Sequence, residues 1–121
     1  MEAIKKATLP NIEIYCGDLQ SETLAKAVGY GIEEEGLPYK ILTEKLTEIE
    51  AHELTKRAGL GVVAMVSADR VTVFARQLKK PEPLFDYMVT ENETAKTIGK
   101  NAARIVKNKP FLEVEDIICF N

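Results

Sequence analysis

The stretch "GVVAMVSADRVTVFA", residues 61–75, decides the fold because it contains two strands joined by a very tight turn. Its first half is a continuous apolar run, which is typical of a strand buried on both faces. Its second half places apolar residues at every other position from Val71 to Ala75, which is the period of a strand. A link this short forces the two strands to be antiparallel neighbours.

Upstream of this pair, the sequence predicts a strand, a helix and a second strand. The segment "NIEIYCGD" (11–18) alternates apolar and polar residues, as a strand does. Ser21 is the predicted N-cap of the helix, and Gly36 followed by Pro38 ends it. Helical spacing predicts that its buried stripe consists of Leu24, Ala27, Val28 and Gly31. The segment "PYKILT" (38–43) is then the second strand.

Two further helices are predicted by the spacing of capping-box residues. Thr47 and Glu50 open the first of these helices, and Thr90 and Glu93 open the last helix of the chain. Between them, after the antiparallel pair and a proline-containing connector, "LFDYMV" (84–89) predicts an edge strand.

The order of predicted elements is β-α-β-α-β-β-β-α. This order predicts an α/β fold with a mixed, mostly parallel sheet and helices on its faces. The length of 121 residues predicts a single domain spanning 1–121. For the tail, residues 112–121, the sequence predicts neither a secondary-structure element nor a role.

Composition argues against several classes of protein. The formal net charge of -3 disfavours a dedicated nucleic-acid binder, which normally has a strong basic excess. No apolar run approaches the roughly 18 residues of a membrane span, so no membrane partner is expected. Cys16 and Cys119 lack metal-type spacing, and we interpret them as reduced thiols of a cytoplasmic protein. His52, the single histidine, is expected on the surface of a helix, which disfavours acyl-transfer chemistry.

Three consecutive glutamates, Glu33, Glu34 and Glu35, end the first helix, where the partial negative charge of the helix terminus disfavours acid. At about 100° per residue, Glu33 points away from the buried stripe, Glu34 flanks it and Glu35 lies nearly on it. One interpretation is a solvated acidic cluster. The other is a carboxylate offered to a hard cation such as Mg2+, with a partner supplying the remaining ligands.

A basic stripe on the last helix is the second unusual feature. Its members fall within about 80° of arc, and they are Lys96, Lys100, Arg104 and Lys107. A solvated face whose charge suits the helix C-terminus is one interpretation. A contact for an acidic surface or a phosphate on a partner is the other.

Two segments together carry a family resemblance. "GIEEEGLPYKI" (31–41) and "TIGKNAARIVKNKPF" (97–111) resemble the small subunit of the diol or glycerol dehydratase reactivating factor, and the spacing between them and the total length also fit. The resemblance implies a three-layer α/β/α fold with a five-stranded, mostly parallel sheet that has one antiparallel strand. It also implies a chaperone-like, non-catalytic subunit in an α2β2 complex with a large ATPase subunit.

The resemblance further implies a mechanism and a site. Exchange of the small subunit for a dehydratase subunit opens the diol or glycerol dehydratase, and damaged cobalamin leaves. The small subunit binds no cofactor alone, but one of its glutamates reaches a Mg2+ ion at the nucleotide site of the large subunit, which binds ATP and ADP. The matching residue here is Glu34, with Glu33 and Glu35 as near alternatives. The basic stripe supplies the candidates for the partner interface.

Other interpretations stay open from the sequence. The chain is alternatively a medium-subunit-like, cobalamin-side component of the dehydratase itself. It is otherwise a nucleic-acid-binding α/β module, for which the basic stripe is the only support. An independent small enzyme is disfavoured because no nucleophile, base or metal cluster is evident. Association with a bacterial microcompartment is left open.

Overall fold

The strands of the protein form one sheet in the computed structural model, which describes residues 10–57, 59–114 and 118–119. The six strands are β1 Ile12–Cys16, β2 Tyr39–Leu42, β3 Val62–Ser67, β4 Arg70–Ala75, β5 Phe85–Met88 and β6 Ile118–Cys119. Their spatial order is β2-β1-β3-β4-β5-β6. The α-helices of the described residues are α1 Glu22–Glu34, α2 Glu48–Arg57 and α3 Asn92–Lys107.

Strand directions confirm the predicted mixed sheet. Strands β1, β2 and β3 are parallel, β4 runs against β3, and β5 runs against β4 and therefore along the first three. The β3–β4 turn consists of Ala68 and Asp69, both left-handed with φ of 51° and 63°, as tight hairpins require. In the tail, for which the sequence predicts no element, β6 adds a sixth strand antiparallel to β5, so the prediction that β5 is an edge strand is wrong.

Helices cover both faces of the sheet, which confirms the three-layer α/β/α architecture. Helices α1 and α3 pack on one face over a core that includes Ile14, Val28 and Ile98. Helix α2 covers the other face, where Phe74 and Ala51 belong to a smaller core. No helix among the described residues is long and apolar enough to cross a membrane.

The helix boundaries confirm some local predictions and correct others. Thr47 and Glu50 form a reciprocal capping box, with hydrogen bonds of 2.9 and 3.1 Å. Ser21 is the N-cap residue of α1 as predicted, but its side chain makes no capping bond; the Asp18 carboxylate accepts from the Ser21 N–H at 2.8 Å and caps the short turn before α1. The predicted cap at Thr90 is wrong, since α3 begins at Asn92 with Glu91 as its N-cap.

His52 corrects the expectation of a surface histidine. The residue is 3% exposed, and its Nε2 lies 2.7 Å from the carbonyl oxygen of Leu78. The connector after β4 therefore reaches back to α2 at this contact. This is a satisfied, buried polar group with a structural role.

Candidate functional site

The site begins with an unusually close contact between α1 and α3. A Cβ atom added to Gly31 would overlap the carbonyl oxygen of Lys96, and one added to Gly99 would overlap the carbonyl oxygen of Val28. Each helix thus places a glycine against the backbone of the other. Because no side chain separates the two backbones here, the residues that follow Gly31 on α1 lie directly beside α3.

Glu34 lies at this contact and is held by two lysines of α3. Lys96 Nζ is 2.5 Å from Glu34 Oε2, and Lys100 Nζ is 3.3 Å from Oε1, so each carboxylate oxygen faces one ammonium group. The hydrogen bond from Lys96 is the main reason that the pKa of Glu34 is lowered, and Lys100 contributes as well. The Glu34 side chain is still 45% exposed, so it stays accessible to another molecule.

Glu35 is more enclosed than Glu34, since its side chain is only 12% exposed. Arg104 donates to Glu35 Oε2 through both Nε and Nη2 at 3.2 Å. Lys107 Nζ donates to the backbone carbonyl of Glu35 at 2.6 Å, which compensates the negative end of the helix dipole. Burial alone would raise the pKa of Glu35, but the bonds and charges of Arg104 and Lys107 outweigh it and the pKa is lowered.

Glu33 differs from both neighbours. It is exposed, and among residues 10–57 and 59–114 no basic side chain lies within ion-pair distance of it. The structure therefore agrees with the predicted orientation of the acidic run, in which Glu33 faces solvent and Glu35 lies closest to the buried stripe. The basic stripe and two members of the acidic run, Glu34 and Glu35, form ion pairs with each other, and this pairing stabilises acidic residues at the end of α1.

The residues present fit a cation only as part of a shared site. The described residues contain no group of three or more histidine, cysteine or acidic side chains that could hold a metal ion. Glu34 offers one accessible carboxylate, which suits Mg2+, an ion usually bound by one or two carboxylates together with phosphates and water. The other ligands would have to come from a second molecule.

The C-terminal end of α3 is fixed by contacts that the sequence did not reveal. Asn101 binds the backbone of Leu112 twice, accepting from its N–H at 2.7 Å and donating to its carbonyl at 3.0 Å. Arg104 Nη1 donates to the carbonyl of Pro110 at 2.9 Å. Arg104 therefore joins Glu35 to the segment that follows α3.

A cleft of about 240 Å³ lies between the first turns of α3 and the first half of α1. Lys96 lines it on the side of α3, and Tyr30, which is 50% exposed, lines it on the side of α1. Tyr30 precedes Glu34 by one helical turn. Tyrosine is one of the residue types that are enriched at protein-binding surfaces.

Comparisons with known proteins point to one group. A family model described as dehydratase medium subunit matches residues 9–112. The propanediol dehydratase-reactivating factor small subunit of Citrobacter freundii is 33% identical over 113 residues, covering 88% of this chain and 93% of that protein. The diol dehydratase-reactivating factor small subunit of Klebsiella michiganensis is 30% identical over 94 residues, covering 75% of each.

Solved structures agree with these relatives. A chain in the structure of a diol dehydratase-reactivating factor complexed with ADP and Mg2+ superposes with a TM-score of 0.73 at 28% identity, covering 88% of this chain and all of that one. A chain of a glycerol dehydratase reactivase superposes with a TM-score of 0.76 at 21% identity, over the same shares, and shows the likeness of fold.

Proposed function

Because the chain belongs to the dehydratase medium subunit family, and within it to the small subunits of dehydratase-reactivating factors, we propose that it serves a diol or glycerol dehydratase as such a subunit. The observation that carries the proposal is the 33% identity that extends over 93% of the Citrobacter freundii protein. The likeness to a chain of a solved reactivating factor, at a TM-score of 0.73 and 28% identity, supports it.

The proposed role is binding without turnover. The relatives are named small subunits, which implies a larger partner subunit. We assign ATP binding and hydrolysis to that partner, in an α2β2 complex. Exchange of this chain for a dehydratase subunit then opens the enzyme and lets damaged cobalamin leave. The exposure of Tyr30 supports a protein-binding role, because tyrosine is one of the residue types that most often contribute strongly to binding at interfaces.

Glu34 is the residue proposed to reach Mg2+ at the nucleotide site of the large subunit. Both glutamates are paired with basic residues of α3, but the Glu34 side chain is 45% exposed and that of Glu35 only 12%. Glu33 is accessible but points away from α3. That a related reactivating factor forms a complex with ADP and Mg2+ supports a shared magnesium ion. When bound, the ion supplies the positive charge that joins a carboxylate to nucleotide phosphates.

The four residues of the basic stripe remain the candidates for the same interface. Lys96 and Lys100 flank Glu34 and are the nearer pair to the proposed magnesium ligand. Arg104 and Lys107 are engaged with Glu35, so their proposed contribution is to hold the end of α1 in place.

The test is a native mass measurement of this chain mixed with the large ATPase subunit, with ADP or ATP and Mg2+. We expect a hetero-oligomer with ADP that loses the small chain with ATP. Glu34→Gln should reduce the Mg2+ dependence of the complex, whereas the matched variant Glu33→Gln should leave it unchanged. Absence of association in both nucleotide states would overturn the proposed function.

A second candidate, the cobalamin-side component of a dehydratase, is favoured only by the description of the family model as dehydratase medium subunit. A cobalamin absorbance titration separates the two functions, because a reactivating subunit should leave the corrin spectrum unchanged.

A further inference from the structure

We propose that Lys96 and Lys100 bind phosphate oxygens of the magnesium–nucleotide complex that the partner presents to Glu34. This inference rests on the proposed function and adds to it a phosphate-binding role for two residues of α3. It assigns the ligand as a nucleoside diphosphate with its bound cation, and not as a bare metal ion.

The charge of the cluster supports an anionic ligand. One carboxylate and two ammonium groups are in direct contact at Glu34 and together carry one net positive charge, while the carboxylate of Glu93 acts on Lys96 without being part of this contact. A bare divalent cation would meet two ammonium groups within a few ångströms, which is unfavourable. A magnesium–nucleoside diphosphate complex is an anion, so its charge is complementary to that of the cluster. The carboxylate then faces the metal and the ammonium groups face the phosphates.

Donor numbers and distances are also suitable. Each lysine ammonium group has three donors, and the contact with Glu34 uses one donor of Lys96 and one of Lys100. Mg2+ holds its ligands at right angles at 2.0–2.1 Å, so neighbouring ligand oxygens lie about 2.9 Å apart. An ammonium group that already contacts a carboxylate oxygen can therefore reach a phosphate oxygen beside it without leaving the carboxylate.

The arrangement is preorganised by the packing of the helices. Lys96 and Lys100 are one turn apart on α3, and the backbone between them is the part that Gly31 contacts. Because backbone lies against backbone, the two lysines cannot move relative to Glu34 by a shift of α3. Only their side-chain ends need to adjust, so little conformational entropy is lost when the ligand arrives.

The test measures the affinity of this chain for the large subunit, with Lys96→Met and Lys100→Met combined in one variant. With ADP and Mg2+, we expect the double variant to bind at least roughly tenfold more weakly, as the loss of charge-assisted bonds to phosphate predicts. The double variant Lys96→Arg with Lys100→Arg, which keeps charge and donors, should retain most of the affinity. Lys56→Met is the matched control, because Lys56 is an exposed lysine of α2, on the other face of the sheet, and is paired on the surface with Glu53.

A second measurement, with ADP and EDTA, separates phosphate binding from an indirect effect on Glu34. Without the metal, the effect of Glu34→Gln should disappear while that of the lysine variant persists. An unchanged or tighter complex of the lysine variant with ADP and Mg2+ would overturn the inference, and so would loss of the lysine effect in EDTA. In either case, the proposed function still holds if the wild-type chain binds the large subunit. If the wild-type chain does not bind it, both the inference and the proposed function are overturned.

Discussion

Substitution of Gly31 by alanine tests whether the close contact of α1 and α3 builds the site. The added Cβ atom would overlap the carbonyl oxygen of Lys96 and come within 2.9 Å of the Lys100 nitrogen. These are backbone atoms inside a helix, so they cannot rotate away as a side-chain end would. The two helices must move apart, and the lysines of α3 move away from Glu34 with them.

Two opposing terms decide the effect of Gly31→Ala on stability. Alanine is favoured over glycine inside a helix by about 0.8–1.0 kcal/mol. Overpacking a tight contact costs about 1–3 kcal/mol, and a backbone obstacle places this contact at the upper end. We therefore expect a net loss of about 1–2 kcal/mol in the free energy of unfolding. With a urea m-value of about 1–2 kcal/mol/M, the midpoint should fall by roughly 1 M.

Urea unfolding followed by circular dichroism measures this change. Lys26→Ala is the control on the same helix, and it should stay within about 0.5 kcal/mol of the wild type because Lys26 is exposed and makes only a surface ion pair. The refuting result is a higher midpoint for Gly31→Ala. Helix propensity alone would then govern the position, and the close contact would not constrain α1 and α3.

Two further predictions concern the ion pairs and the end of α3. The pKa values of Glu34 and Glu35 are lowered from the ordinary 4.5, so their stabilising effect is complete above that pH and is lost as pH falls through the lowered values. At pH 7, Glu35→Gln should lower the free energy of unfolding, measured with urea, by about 1–2 kcal/mol. Glu33→Gln should leave it almost unchanged. Equal losses for the two variants would show that the pairing of Glu35 with α3 is not stabilising. Asn101→Ala should lower the free energy of unfolding by about 1–3 kcal/mol, because it leaves the N–H and the carbonyl of Leu112 without the Asn101 side chain as partner. Hydrogen exchange should show faster exchange of the Leu112 amide, and unchanged protection would contradict the assigned bond.

Features encoded by neighbouring residues could be predicted from the sequence. The capping box of Thr47 and Glu50 involves two residues three positions apart, and the structure confirms both of its bonds. Gly36, with φ of 87°, ends α1 as predicted because glycine adopts this conformation readily. The antiparallel pairing of β3 and β4 followed from a turn too short to permit any other arrangement.

Features that depend on distant residues could not be predicted. Glu35 and Arg104 are 69 positions apart, and His52 is 26 positions from the Leu78 carbonyl that binds it. Periodicity shows which face of a helix is buried but not which helix covers it. One signal was present, since Gly31 and Gly99 lie in the two segments of opposite charge that carry the family resemblance. Small residues on two helices with complementary charges favour a direct contact between them.

The central claim, that this chain is the small subunit of a dehydratase-reactivating factor, is tested most directly by reconstituted reactivation. A diol or glycerol dehydratase inactivated by damaged cobalamin is incubated with the large subunit, ATP, Mg2+ and fresh adenosylcobalamin, with and without this chain. We predict that dehydratase activity returns only when both subunits and ATP are present, and that Glu34→Gln slows the return while Glu33→Gln does not. Equal recovery with and without the chain, while the large subunit remains competent with a known small subunit, would contradict the claim.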